Sequence, residues 1–191
     1  MRMSMLENPD ALKTYTPQLQ QQNFNALMNA FAYPGRIQNL QGKGPALEQV
    51  LATLIDGEVG LADPDALLNG DVRMRLEARM AVAESANFVI CNGGKSPAFQ
   101  PMLGTLEEPE HGATLIIQVQ GFDRSDAALP MVLKGPGIEQ ENTLHVTGFN
   151  ETWLQRRAFW NAAFPTGVDF ILVSENQVVA LPRTTQVQGE F

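Results

Sequence analysis

One cysteine among 191 residues excludes an internal disulfide, and two histidines leave little with which to hold a transition metal. Cys91 lies in the apolar run Phe88-Val89-Ile90-Cys91, the setting of a buried, inert thiol. His111 and His145 are accompanied by no His-x-His, His-Glu-x-x-His or Cys-x-x-Cys spacing, so the chain shows no zinc site of its own. His145 alternates with Leu144 and Val146 as a structural strand imidazole would. A Gly-x-Ser-x-Gly elbow is also missing, which leaves a serine-hydrolase reading without a nucleophile. No apolar run approaches the roughly 20 residues that span a bilayer. Glu7, Asn8, Pro9 and Asp10 stand where a signal peptide would need an apolar centre, so the expected location is cytoplasmic. Positive charge is scarce too: 13 basic residues against 21 acidic ones give a net charge of −8. A duplex nucleic-acid binder, which sets many cations against phosphates, is disfavoured, whereas a local basic pocket for one small anion is compatible with that sign.

What is present is a chain of single-domain size with 44% hydrophobic residues and no low-complexity tract. We expect a flexible N-terminal segment over residues 1–15, one domain over 16–187 and a tail over 188–191. Thr16-Pro17 predicts a helix start, followed at helical spacing by Phe24, Leu27, Met28 and Phe31 and stopped at Tyr33-Pro34-Gly35. A strand over residues 36–40 and the turn Gly42-Lys43-Gly44-Pro45 lead to the clearest helix, with Leu47, Val50, Leu51, Leu54 and Ile55 on one stripe. After a strand over residues 58–62, Asp71 offers a cap for a helix that turns Val72, Leu76 and Met80 inward; Arg73, Arg75 and Arg79 on it either hold an anion or form a solvated ion-pair face, with Glu77 at the i, i+4 spacing from Arg73 that suits the latter.

Residues 86–91 predict a strand that opens onto Asn92-Gly93-Gly94-Lys95-Ser96-Pro97. Its Gly-Lys-Ser ending imitates a phosphate loop, but the required glycine is replaced by Val89 and Pro97 follows at once, so the turn is a decoy. Residues 113–120 form an apolar run with little alternation, as in a central strand covered on both faces. Further strands at 131–133 and 144–149 flank the turn Lys134-Gly135-Pro136-Gly137-Ile138. Asn150 then caps a helix bearing Trp153, Leu154, Ala158 and Trp160, with Arg156 and Arg157 placed to suit the helix dipole. Residues 168–173 and Gln177–Leu181 close the chain as an antiparallel hairpin around Ser174-Glu175-Asn176. The interleaving predicts an α/β domain, a mixed β-sheet with helices on both faces.

Two places concentrate polar chemistry. Gly135 and Gly137 flank Pro136, leaving backbone amides that either approach a ligand or merely serve a strand-to-strand turn. Pro182 ends the second hairpin strand where Arg183, Thr184 and Thr185 arrive, a group able to grip a phosphate or phosphonate oxygen or to pin the terminal segment to the domain or a partner. Asp169 is placed to pair with such an arginine. No nucleophile, general base or metal set accompanies them.

Five stretches in order carry a family resemblance: Asn23-Phe24-Asn25-Ala26-Leu27-Met28-Asn29-Ala30-Phe31-Ala32-Tyr33-Pro34-Gly35; residues 104–109 leading into Gly112-Ala113-Thr114-Leu115; Leu133-Lys134-Gly135-Pro136-Gly137-Ile138; Phe164-Pro165-x-Gly167-Val168-Asp169; and Leu181-Pro182-Arg183-Thr184-Thr185. From Phe24 to Thr185 the chain resembles the PhnH subunits of bacterial carbon–phosphorus lyase systems. It departs from the usual pattern at Asn25, where the family commonly has a basic residue. The resemblance implies a fold similar to the type I pyridoxal-phosphate transferases but without that cofactor, and a homodimer when isolated. It implies partners PhnG, PhnI and PhnJ, with PhnL taking part in a reaction that exchanges the adenine of MgATP for an alkylphosphonate. The product is a ribose 1-alkylphosphonate 5-triphosphate, whose carbon–phosphorus bond a radical iron–sulfur subunit later breaks. The displacement of adenine is ascribed to PhnI, so this chain is expected to support the reaction without catalysing it alone, and to bind no cofactor. Set beside that reading is a stand-alone small-anion or nucleotide binding module, with Arg183, Thr184, Thr185 and residues 135–137 as its pocket.

Overall fold

The computed structural model describes residues 16–188; the segment expected to be flexible, 1–15, and residues 189–191 lie outside the described residues. Thr16 Oγ1 accepts from the backbone N–H of Leu19 and starts α1, Pro17–Ala32. Then follow β1 (Gln38–Asn39), α2 (Ala46–Leu54), β2 (Gly60–Ala62), α3 (Gly70–Leu76), β3 (Arg79–Met80), β4 (Phe88–Asn92), β5 (Thr114–Gln118), β6 (Leu129–Lys134), β7 (Asn142–Val146), α4 (Thr152–Trp160), β8 (Asp169–Ser174), β9 (Gln177–Leu181) and β10 (Gln186–Gln188).

Seven strands form the main sheet in the order β1-β9-β8-β5-β4-β2-β3, and β10-β6-β7 form a small antiparallel sheet. Pairing is parallel from β3 to β8 and antiparallel at β9 and β1, so the sheet is mixed, and β5 is its middle strand. Because side chains alternate across a strand, each apolar run splits its residues between two cores. Val89, Cys91, Leu115, Ile117, Phe170, Leu172 and Val179 face α4 and the small sheet, packing with Trp153, Trp160, Met131 and Leu133. Ile90, Ile116, Ile171, Val173 and Val178 face the stripe Val50, Leu51, Val72 and Leu76 of α2 and α3. The chain is therefore a single α/β domain whose mixed sheet is flanked by helices.

Three expectations are corrected. The helix predicted beyond Asp71 is capped by Asn69, whose Oδ1 accepts from Val72 N at 2.9 Å, and it ends at Leu76 because Glu77 takes a left-handed φ of 53°. Arg79 and Met80 instead pair with Gly60 and Leu61 as an edge strand, leaving Met80 exposed. Arg73 finds Asp63 at 2.8 Å, not Glu77. On α1, Leu27 is buried but Phe24 and Met28 are half exposed, since the helix docks on α2 through a polar contact: Asn23 Nδ2 donates to Gln49 Oε1 at 3.0 Å and Asn23 Oδ1 accepts from Gln41 N at 2.9 Å. That buried pair sets the rotation of α1. Lys95, in the phosphate-loop imitation, pairs with Asp65 at 2.8 Å, and no helix follows it.

Candidate functional site

The hairpin register builds the polar junction. Phe170 lies opposite Leu181, so Asp169 at the start of β8 meets the residues that follow β9. Asp169 Oδ1 accepts from the backbone N–H of Arg183 at 2.6 Å, and Oδ2 accepts from Nη2 at 2.7 Å and from Nε at 3.2 Å. This is the forked carboxylate–guanidinium geometry in which charge assistance and direction reinforce each other. Nη1 turns to two loop carbonyls, Pro109 O at 2.6 Å and Pro165 O at 3.3 Å. Arg183 therefore ties three segments together, and its side chain is only 15% exposed. An incoming oxyanion would have to displace Asp169 to reach it.

The guanidinium fits because residue 112 has no side chain. A Cβ at Gly112 would stand 2.2 Å from Gly167 O and 2.8 Å from Arg183 Nη1, a backbone contact that cannot swing away. Gly112→Ala is expected to cost about 1–3 kcal/mol by overpacking, read as a lower urea midpoint at unchanged m-value.

Arg157 of α4 lies behind this staple and is 4% exposed. Its Nη1 donates to Thr185 O at 2.9 Å, and its Nη2 donates to Pro182 O and to Leu181 O at 3.4 Å. The guanidinium carbon sits 5.7 Å from the Phe170 ring centroid, a cation–π arrangement. Burial lowers its pKa to about 10, opposed in part by the charge of Asp169, so the group is a cation at neutral pH. Arg157 Nε and Thr185 Oγ1 are buried without a partner in the described structure.

Of the remaining predicted residues, Thr185 and the two glycines serve close packing. Thr185 is buried, Thr184 faces solvent, and a Cβ at Gly135 would meet Thr184 O at 3.0 Å. A Cβ at Gly137 would lie 2.1 Å from Ala32 O, at the end of α1. Asp169, Arg183, Thr185 and Gly135 are thus brought together, while Gly137 is drawn toward α1. Arg157 was missed as a member of this junction, although its spacing from Trp153 and Trp160 puts it on their helix stripe.

The carboxyl ends of β5 and β8, a common ligand position in parallel sheets, open onto a cleft of about 690 Å³ lined by residues 42–47, 118–120 and 173–176. Its lining offers Lys43 and Glu175 but no thiol or imidazole. Among the described residues no group of three or more His, Cys, Asp or Glu side chains could hold a metal ion. Cys91 is fully buried, and burial pushes its thiol pKa up, away from the reactive thiolate.

Residues 14–188 match the family described as "Bacterial phosphonate metabolism protein (PhnH)". The chain belongs to the PhnH family. Among its relatives, a putative C-P lyase subunit, HtxG, of Stutzerimonas stutzeri is 45% identical over 169 residues, covering 88% of this chain and 85% of that protein. The alpha-D-ribose 1-methylphosphonate 5-triphosphate synthase subunit PhnH of Rhizobium meliloti (strain 1021) is 29% identical over 188 residues, covering 87% and 89%. The PhnH match includes the whole Asp169–Arg183–Arg157 junction and both cores. Membership places the chain among the subunits of carbon–phosphorus lyase systems, in phosphonate metabolism. Among the described residues no helix is long and apolar enough to cross a membrane.

Proposed function

We propose that this chain is a non-autonomous subunit of a carbon–phosphorus lyase core complex. In this reading it works in the cytoplasm and supports the formation of ribose 1-methylphosphonate 5-triphosphate from MgATP and methylphosphonate, with adenine displaced. The observation that carries the reading is the closure of the Arg183 junction. The guanidinium that could have gripped a phosphonate is spent on Asp169, Pro109 and Pro165, and Arg157 is spent on carbonyls of the terminal segment. Such a junction gives the domain a rigid surface, which is what a partner needs.

The loops that Arg183 ties down carry large exposed apolar groups, Leu106 at 70% and Phe164 at 66%, and Phe159 on the last turn of α4 is 67% exposed. Exposed apolar groups of this size suit a protein–protein contact, with PhnG, PhnI or PhnJ, or with a second copy when the chain is isolated. The relation to type I pyridoxal-phosphate transferases belongs to the same reading. Lys134, at the end of β6, is 42% exposed with its Nζ 3.7 Å from Glu141, an ion-paired surface setting and not the enclosed pocket in which a Schiff-base lysine sits.

Two measurements test the proposal. The other lyase subunits are expected to copurify with the tagged full-length chain from phosphate-starved source cells, and their absence would overturn it. The purified chain alone is expected to release no adenine from MgATP and methylphosphonate, with or without PhnL; turnover tracking the chain through purification would establish an autonomous enzyme instead.

A further inference from the structure

A second basic site lies away from the Arg183 junction. The loop entering β1 and the outer face of β7 border an open cleft of about 500 Å³, a volume within the range of small-ligand pockets. Leu144 and Val146 of β7 point into the core, so Thr143 and His145 face outward into this space. Arg36 enters from the β1 side and Arg124 from the loop before β6. Gly35, at φ 79°, makes the approach feasible: a Cβ there would stand 2.7 Å from Asn142 Nδ2 and 2.3 Å from Leu133 Cδ1.

The charge around this cavity is unbalanced in an otherwise acidic chain. Its lining contains two guanidinium groups, an imidazole, Gln38 and Thr143, but no carboxylate. Arg73, Arg75, Lys95, Lys134 and Arg183 each have a carboxylate within 4.0 Å, whereas neither Arg36 nor Arg124 has one among the described residues. Arg36 is steadied against the Tyr33 ring at 4.6 Å, which leaves its donors open. Of the nearby acids, Asp123 accepts from Thr147 Oγ1 and Glu141 faces Lys134, while Glu139 and Glu141 line an adjoining cleft that Arg36 and Asn142 also border. Phe122 and Ile37 complete the wall with apolar surface.

We propose that Arg36, Arg124 and His145 form a binding site for a phosphoryl or phosphonyl oxyanion carried on a small organic group. Two guanidinium forks match the oxygens of a tetrahedral anion, and the anion supplies the countercharge that the fold leaves out. Phe122 and Ile37 receive the organic part, an alkyl substituent or a nucleoside. The site shares no residue with the Arg183 junction, so its failure would leave the copurification result untouched.

Isothermal titration of the full-length chain at low ionic strength with inorganic phosphate, methylphosphonate, ATP and MgATP tests the site. At least one probe is expected to bind one to one, with Arg124→Gln weakening it at least about tenfold and Arg36→Gln adding a further loss. Arg156→Gln, which removes the same charge from an exposed position on α4, is expected to leave binding unchanged. The His145 ring resonances, assigned through His145→Gln, should shift at the same ligand concentrations. Tighter binding of ATP than of methylphosphonate would identify a nucleotide as the source of the oxyanion, and the reverse order an alkylphosphonate. The proposal is overturned if no probe binds, or if the double variant binds as tightly as the native chain. It is equally overturned if Arg36 and Arg124 prove necessary only for partner copurification, which would make the cavity a dock for an acidic protein segment.

Discussion

Asp169→Ala is expected to destabilise the domain by about 3–5 kcal/mol, the range for removing one member of a largely buried ion pair. Both side chains are less than a fifth exposed, at 15% for Arg183 and 18% for Asp169, so solvent screens the pair little. The substitution also strands the backbone N–H of Arg183, which donates to Oδ1 at 2.6 Å. Asp169→Asn keeps an acceptor for that N–H but removes the charge opposite the guanidinium, and should fall between the native chain and the alanine variant. Urea unfolding followed by tryptophan fluorescence reads the difference, because Trp153 and Trp160 lie in the core that the junction closes. A loss below about 1 kcal/mol for Asp169→Ala would mean that the pair behaves as an exposed surface bridge. The same variant should free the loops carrying Pro109 and Pro165, whose carbonyls now receive Nη1.

The second large effect is expected at Arg157. Arg157→Met fills similar volume but withdraws donors from the carbonyls of Leu181, Pro182 and Thr185. Leaving a buried carbonyl unpaired costs about 1–3 kcal/mol, and relief of the buried charge returns only part of the loss, so a net destabilisation of about 3 kcal/mol is expected. Arg157→Lys should recover little, since an ammonium is a compact point charge and the carbonyls are spread along a turn. The loss should be local first. Amide hydrogen exchange in Gln186–Gln188 and its partners Val132, Leu133 and Lys134 should accelerate more than exchange in β5.

The pH dependence has a definite sign. Folding lowers the Arg157 pKa to about 10, so the unfolded chain holds this proton more tightly than the folded one. The contribution of this group to stability therefore rises as pH climbs above about 10, and the stability gap between native chain and Arg157→Met should widen there.

Much of the frame was legible because apolar periodicity is a local property. The stripe Leu47, Val50 and Leu51 is buried on α2, the run around Ile116 is the middle strand, and the hairpin at residues 169–181 closes as its short link requires. Asn150 Oδ1 accepts from Thr152 N at 3.0 Å at the start of α4, as its position before that helix suggested. Errors arose where a tertiary partner outbid a local preference. Arg73 had Glu77 at suitable helical spacing, yet the helix ended first and Asp63, ten residues away, was in reach. Phe24 and Met28 fit a helical stripe, but the Asn23–Gln49 contact turned them toward solvent. The small sheet was harder still, because β10 is three residues long and has meaning only against β6.

Composition and motif order, by themselves, determined the class of this protein: an acidic α/β domain, poor in metal ligands, of the PhnH family. Both depend on residue identities along the chain, which folding does not alter. Which cations are spent and which stay open was decided only by the tertiary structure. Arg183, Arg157, Arg36 and Arg124 are the same side chain in sequence, and each can make ion pairs, stack or bind an oxyanion. Their roles separate through distances across the fold: Asp169 and loop carbonyls close on Arg183, backbone carbonyls close on Arg157, and no carboxylate reaches Arg36 or Arg124 among the described residues. Electrostatic interaction falls steeply with separation and with exposure to water, and neither quantity is written in the order of residues.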